Sequence, residues 1–334
     1  MAVKVAINGL GRIGRCVARI IADREDIELV AVNASGTEEM LEYNVKYDSV
    51  HGTRKDVSVA DGYLNIGQTK AKIFAERELC KIDFASEGVE VVLECTGAFL
   101  TQESVQAYLD NGVKKVLFSA PAKDDTATFV FGANADDYAG QAVVSNASCT
   151  TNGLAPVAKV LDDAFGIENG LMTTIHSYTS SQPILDGKHK KDPRKGRSGA
   201  TNLVPTTTGA AKAIAKVLPS LQGKINGQAI RVPTADVSMV DLTVTLNKET
   251  TVEEVQKAFK DASLTTHKGI LGVDEDYRVS MDFVGEELST VVPLDTIQVI
   301  GGKMVKVLSW YDNEWGYSAR LVDMAVHISK EVKA

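Results

Sequence analysis

The chain has 334 residues, 44% of them hydrophobic and 24% charged, with a formal net charge of −8. That length exceeds what one hydrophobic core comfortably fills, so two domains are expected. The acidic balance argues against a general nucleic-acid or anionic-membrane binder, and no apolar run is long enough to span a membrane.

Val3 to Ile7 is a short β-rich run that enters a strand at once rather than reading as a signal peptide. Asn8-Gly9-Leu10-Gly11-Arg12-Ile13-Gly14 follows, then Val17, Ala18, Ile20 and Ile21 on one helical face, then a second β run from Ile27 to Asn33. Gly9, Gly11 and Gly14 therefore form a GxGxxG turn between a strand and a helix, the context in which it binds a dinucleotide. The glycines allow a tight turn, backbone approach to a pyrophosphate, and close helix–sheet contact. The second strand departs from the usual pattern. It ends Asn33-Ala34-Ser35-Gly36, with no carboxylate before Glu38 to hold the ribose hydroxyls of NAD. Nothing there repels a 2′-phosphate either, so both NAD and NADP stay open.

Val89 to Glu94 and Lys115 to Phe118 read as further buried strands, ending in Cys95-Thr96-Gly97 and Ser119-Ala120-Pro121. Ligands of parallel sheets bind at the carboxyl ends of strands, which makes Thr96 and Ser119 cofactor-contact candidates; ordinary turn chemistry is the alternative. Val143-Val144 extends the sheet and delivers Ser145-Asn146-Ala147-Ser148-Cys149-Thr150-Thr151-Asn152 to the same edge, so that nucleotide and thiol are expected to face one cleft.

Leu154, Val157, Ala158, Leu161 and Phe165 recur at helical spacing, which places Cys149 near a helix N-terminus. Unpaired N–H groups and the helix dipole favour a thiolate there. The surrounding Ser148, Thr150 and Thr151 suit an oxyanion or phosphate. A half-buried structural cysteine is the alternative. Cys16, Cys80, Cys95 and Cys149 show no CxxC or zinc-type spacing, so reduced thiols in the cytoplasm and no metal site are expected.

Gly170 to Thr179 reads as a strand with Met172 and His176 on one face. His176 is either a satisfied structural residue or, paired with Cys149, the base that activates a thiol. Gly187 to Arg197 holds six formal cations, which suits either a solvated loop or a phosphate-attracting one. Thr206-Thr207-Thr208-Gly209 opens a helix from Ala210 to Val217, a second anion site. Arg231 lies within the apolar run Gln228 to Pro233, where its charge needs an anionic partner such as a substrate phosphate. Val237 to Leu246, Val291 to Ile300 and Met304 to Trp310 read as strands of a mixed or antiparallel sheet, with helices from Val252 to Ala262 and from Tyr317 to Lys330.

These motifs closely resemble phosphorylating glyceraldehyde-3-phosphate dehydrogenases over essentially the whole chain. The carrying segments are Ala6 to Gly14, Ser145 to Asn152, Thr207 to Lys212, Arg231 to Thr234 and Trp310 to Glu314. The resemblance implies an α/β protein: a Rossmann-type parallel-sheet domain (1–148), and an α+β catalytic domain with a mainly antiparallel sheet (149–314). It further implies a C-terminal helix (315–334) packing back on the first domain, and a homotetramer. By position, Cys149 resembles the nucleophile and His176 its base. Gly9, Gly11, Arg12, Ile13, Ala34, Arg77, Thr96, Ser119, Lys188 and Asn313 resemble cofactor contacts, Asn313 as the nicotinamide carboxamide anchor. Thr179 and Arg231 resemble the grip on the phosphate of glyceraldehyde 3-phosphate, and Ser148, Thr150, Thr208 and Gly209 the site for inorganic phosphate. The chemistry implied is NAD(P) reduction through a Cys149 hemithioacetal and thioester.

Four positions depart from the family pattern. Ala34 stands where NAD-specific members carry aspartate, and Lys188 where proline is common in a loop that approaches a neighbouring subunit's cofactor. Gly153 replaces a second cysteine, with little catalytic effect expected. Lys195 replaces a frequent arginine, keeping the charge and losing bidentate geometry. Ala34 and Lys188 together predict good use of NADP. Erythrose-4-phosphate dehydrogenase is the nearest rival reading, and a member with an added binding role a second.

Overall fold

The computed structural model describes residues 2–189 and 192–330. The described residues of Met1–Phe129, Ala135–Ala147 and Ser318–Ala334 form one compact unit, and those of Val130–Asn134 and Ser148–Tyr317 a second. Lys190 and Lys191 of the basic run, and positions 331–334 of the expected C-terminal helix, lie outside the described residues.

In the first unit, β1 (Val3–Asn8), α1 (Arg12–Ile21), β2 (Ile27–Asn33) and α2 (Glu38–Lys46) precede three short strands, β3 (Val57–Ala60), β4 (Tyr63–Ile66) and β5 (Thr69–Phe74). Then come β6 (Val91–Glu94), α3 (Gln102–Asp110), β7 (Lys115–Phe118), β8 (Ala127–Thr128) and β9 (Val143–Ser145). Their sheet runs β3-β4-β5-β2-β1-β6-β7-β9-β8 and is parallel except where β3, β4 and β5 pair. Apolar side chains fill both faces of β1, β6 and β7, as a parallel sheet covered by helices requires. Phe84 stacks on Tyr108 at 5.6 Å and receives the edge of Phe74 at 5.3 Å, at the centre of one core cluster. The sequence reading had no strands between 57 and 74, although the Asp61-Gly62 signal was present. Both residues have positive φ, 54° and 78°, as a two-residue hairpin turn requires.

The second unit holds α4 (Cys149–Phe165), β10 (Ile167–Ser177), β11 (Val204–Thr207), α5 (Ala210–Val217), β12 (Ile225–Val232), β13 (Ser238–Leu246) and α6 (Val252–Leu264). β14 (Leu271–Asp274), β15 (Thr290–Pro293), β16 (Gln298–Ile300) and β17 (Met304–Tyr311) complete its sheet, ordered β11-β12-β10-β13-β17-β15-β14 with β16 beside β17. Antiparallel pairs dominate; β10–β12 and β14–β15 are parallel. The fold class is therefore the expected one, a mostly parallel α/β sheet and a mainly antiparallel sheet with helices.

One expected strand, Val291 to Ile300, is two. Pro293 has no N–H to continue the ladder, and a 3₁₀ turn (Leu294–Thr296) follows, closed by the Thr296 hydroxyl donating to the Pro293 carbonyl at 2.8 Å.

The last helix, α7, spans Trp315–Ser329. Within the first unit, its Asp323 pairs with Arg24 at 2.5 Å, and His327 packs on Tyr138 with ring centroids 5.9 Å apart. No helix among the described residues is long and apolar enough to cross a membrane.

Candidate active site

In the first unit a cavity of about 610 Å³ opens at the carboxyl ends of β1, β2 and β6, lined among others by Gly9, Gly11, Ala34, Arg77 and Thr96. The glycines show why the motif needs them. Gly9 has φ +98°, and a Cβ there would lie 2.8 Å from the Thr96 methyl; one on Gly14 would lie 2.0 Å from the Gly9 carbonyl oxygen. Gly11 instead faces open space, the approach a pyrophosphate needs at the start of α1. The residues present fit a dinucleotide.

A buried polar chain locks the strand ends beneath this cavity. Glu94 is fully buried and accepts from Asn8 Nδ2 at 2.6 Å, from the Thr96 N–H at 2.8 Å and from the Thr96 hydroxyl. Asn8 Oδ1 accepts from Asn33 Nδ2 at 2.7 Å, and Asn33 bonds both backbone groups of Glu76 at 2.9 Å. Burial pushes the Glu94 carboxyl up against the opposing pull of the Thr96 and Asn8 donors. Asn33 is therefore committed to these partners, and it lines the cavity beside Ala34 together with Ser35, Glu76 and Arg77.

Some expected cofactor residues do not line this cavity. The Arg12 side chain pairs with both oxygens of Asp48. Burial would raise the Asp48 carboxyl, but Arg12 and the His51 and Val50 N–H groups outweigh it and hold it well below the usual range. Arg12, Ile13 and Ser119 are not among the residues lining the cavity, whereas Arg15, unremarked in the sequence, is. Lys188 is exposed on the loop between β10 and β11.

In the second unit Ser148 caps α4, its hydroxyl accepting from the Thr151 N–H at 3.1 Å, and Cys149 is the first helical residue. Ala147 at φ +56° makes the turn that delivers it. Cys149 Sγ lies 3.5 Å from Nε2 of His176, on the buried face of β10 with Met172 and Thr174. Parallel pairing of β10 and β12 sets Arg231 opposite His176, and Arg231 Nη1 is 2.7 Å from His176 Nδ1 and 2.9 Å from the Ser177 carbonyl oxygen.

The electrostatics correct one expectation. Burial pushes the Cys149 thiol up, more than Arg231 and the Thr150 hydrogen bonds pull it down. Burial and the Arg231 charge push His176 down to about 3. The helix N-terminus alone does not make a resting thiolate, because desolvation of the charge is the larger effect. Both shifts run toward the neutral forms of the pair.

The other phosphate candidates are divided. The Thr208 hydroxyl accepts from the Ala210 N–H at 3.2 Å, and Gly209, the N-cap of α5, has open space where a side chain would stand. Thr179 shares a 2.9 Å hydrogen bond with Ser181. The Thr150 hydroxyl is buried on Tyr311 Oη at 3.1 Å, and Tyr311 also reaches Thr174 at 2.7 Å. In the basic run, Arg197 is already paired with Asp186 at 2.7 Å.

Three contributors were missed from sequence. Tyr311 presents its ring to the edge of His176 at 6.0 Å and to Gly153, where a Cβ would come within 3.0 Å of the ring. The glycine that replaces a family cysteine is thus matched to this ring position. The Ser238 hydroxyl donates to Asn313 Oδ1 at 2.5 Å and accepts from the Ser177 N–H at 3.1 Å, which ties the strand of the base to Asn313 and leaves the Asn313 amide to donate. Just before it, Val237 adopts φ +63°, a strained state for a β-branched residue that costs about 1–3 kcal/mol. The Ser177 hydroxyl holds it by donating to the Val237 carbonyl at 2.8 Å. Asp236, fully buried, is pushed up to about 9 by burial and by Asp312 and Glu314, and Asp312 accepts from three backbone N–H groups. No sequence signal marked Ser238 or Asp236, because their partners are remote in the chain.

Two family models match: the glyceraldehyde 3-phosphate dehydrogenase NAD binding domain over residues 3–102, and the C-terminal domain over residues 148–313. The chain is 50% identical over 331 residues to a glyceraldehyde-3-phosphate dehydrogenase of Shimwellia blattae, covering 99% of this chain and 100% of that one. It is 50% identical over 329 residues to one of Eremothecium gossypii, with 98% and 99% covered. It is also 50% identical over 332 residues to glyceraldehyde-3-phosphate dehydrogenase A of Escherichia coli K12, with 99% and 100% covered. The thiol–imidazole pair at a helix N-terminus, the glycine-lined cavity and these matches agree: the chain belongs to the glyceraldehyde-3-phosphate dehydrogenase family, NAD-dependent oxidoreductases.

Proposed function

We propose that this chain oxidises glyceraldehyde 3-phosphate and phosphorylates the product, with Cys149 as nucleophile and His176 as base. The carrying observation is the 3.5 Å approach of Cys149 Sγ to His176 Nε2 at the start of α4. The thiol proton passes to Nε2 as sulfur adds to the aldehyde carbon, and Nε2 returns it to the new alkoxide to give a hemithioacetal. When bound, the nicotinamide supplies a hydride acceptor. As hydride leaves the aldehyde carbon, Nε2 takes the hydroxyl proton and a Cys149 thioester remains. Inorganic phosphate, held at the N-terminus of α5 by Thr208 and Gly209, attacks that carbonyl. The C–S bond breaks, releasing 1,3-bisphosphoglycerate and the Cys149 thiolate. Arg231 and Thr179 grip the substrate's own phosphate, and Asn313, oriented by Ser238, anchors the carboxamide. Relatives named for glyceraldehyde 3-phosphate do not favour erythrose 4-phosphate as substrate. Comparing kcat/KM for the two aldehydes with and without phosphate tests this; equal or greater activity on the tetrose, indifferent to phosphate, refutes it.

The family match supports NAD; we infer that NADP is used as well. Ala34 puts no charge at the end of β2, and Arg77, exposed on the rim of the same cavity, offers a guanidinium to a 2′-phosphate. Lys188, exposed on its loop, is the cation the sequence adds. Ala34→Asp should therefore cost NADP about 1–3 kcal/mol relative to NAD, roughly a ten- to hundredfold loss in the kcat/KM ratio. An unchanged ratio sinks the reading.

A homotetramer is the proposed assembly. One face of the second unit's sheet exposes Leu171 (69%), Ile300 (66%) and Met304 (48%), apolar surface that a second copy of the chain would cover. Light scattering that reads a monomer at micromolar concentration refutes it.

A further inference from the structure

We propose that Glu94 is a positioning residue of the cofactor site: an acceptor-only side chain that fixes which way the Asn8 and Asn33 amides face, and so holds the Glu76–Arg77 segment in place for the cofactor. This rests on the first-unit cavity holding the dinucleotide.

Glu94 is not among the residues lining that cavity, but Asn8, Asn33, Glu76, Arg77 and Thr96 are. Its carboxyl reaches them through a chain of hydrogen bonds that has a direction. Oε1 accepts from the Thr96 N–H at 2.8 Å and from the Thr96 hydroxyl, which itself accepts from the Ala98 N–H at 3.1 Å. Oε2 accepts from Asn8 Nδ2 at 2.6 Å, and Asn8 Oδ1 accepts in turn from Asn33 Nδ2 at 2.7 Å. Asn33 ends the chain on one residue: Nδ2 donates to the Glu76 carbonyl oxygen and Oδ1 accepts from the Glu76 N–H, both at 2.9 Å.

Both ends of this chain are fixed. A carboxylate only accepts, and the backbone N–H and C=O of Glu76 cannot exchange roles. Asn8 fits between them in one orientation alone. The chain ties the carboxyl ends of β1, β2 and β6, where Asn8, Asn33 and Glu94 are the last residues, to the segment after β5. Asn8, Asn33 and Glu94 are all buried, so a mismatched pair among them stays unpaired instead of turning to water.

Glu94→Gln keeps size and shape and removes only the direction. The oxygen of the new amide must take the two Thr96 donors, which turns its nitrogen toward Asn8 Nδ2, donor against donor. Turning Asn8 moves the conflict to Asn33 Nδ2, and turning Asn33 moves it to the Glu76 backbone. No set of amide orientations satisfies the chain, and every place the conflict can rest involves a residue that lines the cavity. The lining is then left loose until the cofactor orders it, at a cost in affinity.

The test is calorimetric titration of the full-length enzyme with NAD. Glu94→Gln should raise the Kd about tenfold with the number of sites per chain unchanged. Asn8→Asp alone sets two carboxyls face to face and should bind at least as poorly. Combining the two substitutions restores the direction, because the new carboxylate accepts from the new amide at one oxygen and from Asn33 Nδ2 at the other. The double variant should bind within about threefold of the unmodified enzyme, a rescue that independent structural damage at two positions does not give. The proposal is overturned by a Glu94→Gln that binds NAD as tightly as the unmodified enzyme, or that loses sites at unchanged Kd, or by a double variant no better than the weaker single one. Gly11→Val tests the ground beneath it by filling the open approach at Gly11. NAD bound normally by Gly11→Val refutes the cavity as the cofactor site; binding lost there but unaltered in Glu94→Gln refutes only the role of Glu94.

Discussion

Cys149→Ser should lower turnover by about three orders of magnitude or more while leaving cofactor affinity essentially unchanged. The argument is chemical. A serine hydroxyl ionises far above a thiol and is the weaker nucleophile, and the pair geometry cannot repair that: His176 is itself pushed down to about 3 and is a weak base. An oxyester, were it to form, would also resist phosphate attack more than a thioester. The cavity that fits the dinucleotide is lined by first-unit residues and does not include Cys149, so binding has no reason to follow. Stopped-flow reduction of cofactor and calorimetric binding check the two halves. Substantial residual dehydrogenase activity in Cys149→Ser would falsify the nucleophile assignment.

The second large effect is expected for His176→Asn, a loss of about two to four orders of magnitude in kcat/KM. The asparagine amide fills similar space on the buried face of β10 and can still meet Arg231, but it accepts no proton from Cys149. The pH dependence carries the sign. Burial already pushes the Cys149 thiol up, so without a proton acceptor the thiolate should form only above the ordinary thiol range. In the unmodified enzyme the proton passes within the pair and no net charge is buried, so reactivity extends to lower pH. Alkylation rate against pH measures this. A His176→Asn profile that overlays the unmodified one refutes the base assignment.

Much of the fold was legible because local rules decide it. β1, the glycine turn and α1 announce themselves by an apolar run, three glycines and helical spacing, and Ser148 marks the start of α4 through its cap. Ala210–Val217 follows its hydroxyl-rich opening with the bounds the sequence predicts. What failed was short or broken. β3 to β5 have four to six residues each, too few for periodicity to register, and Pro293 divides one apolar run into two strands.

The site divides the same way. The sequence by itself determined which groups are available: a cysteine at a helix start, a histidine on a strand, an arginine in an apolar run, and alanine at the end of β2. These are choices of residue type and local spacing. Only the tertiary structure decided their states. Register between β10 and β12 seats Arg231 on His176, and β17 brings Tyr311 against both the histidine and Gly153. A strained Val237 presents Ser238 to Ser177 and Asn313, residues 61 and 75 positions away from it. Burial then reverses the ionisation that the helix N-terminus alone would favour. The physical reason is common to all four: hydrogen-bond partnership and desolvation depend on distance in space, which strand pairing sets and local sequence does not.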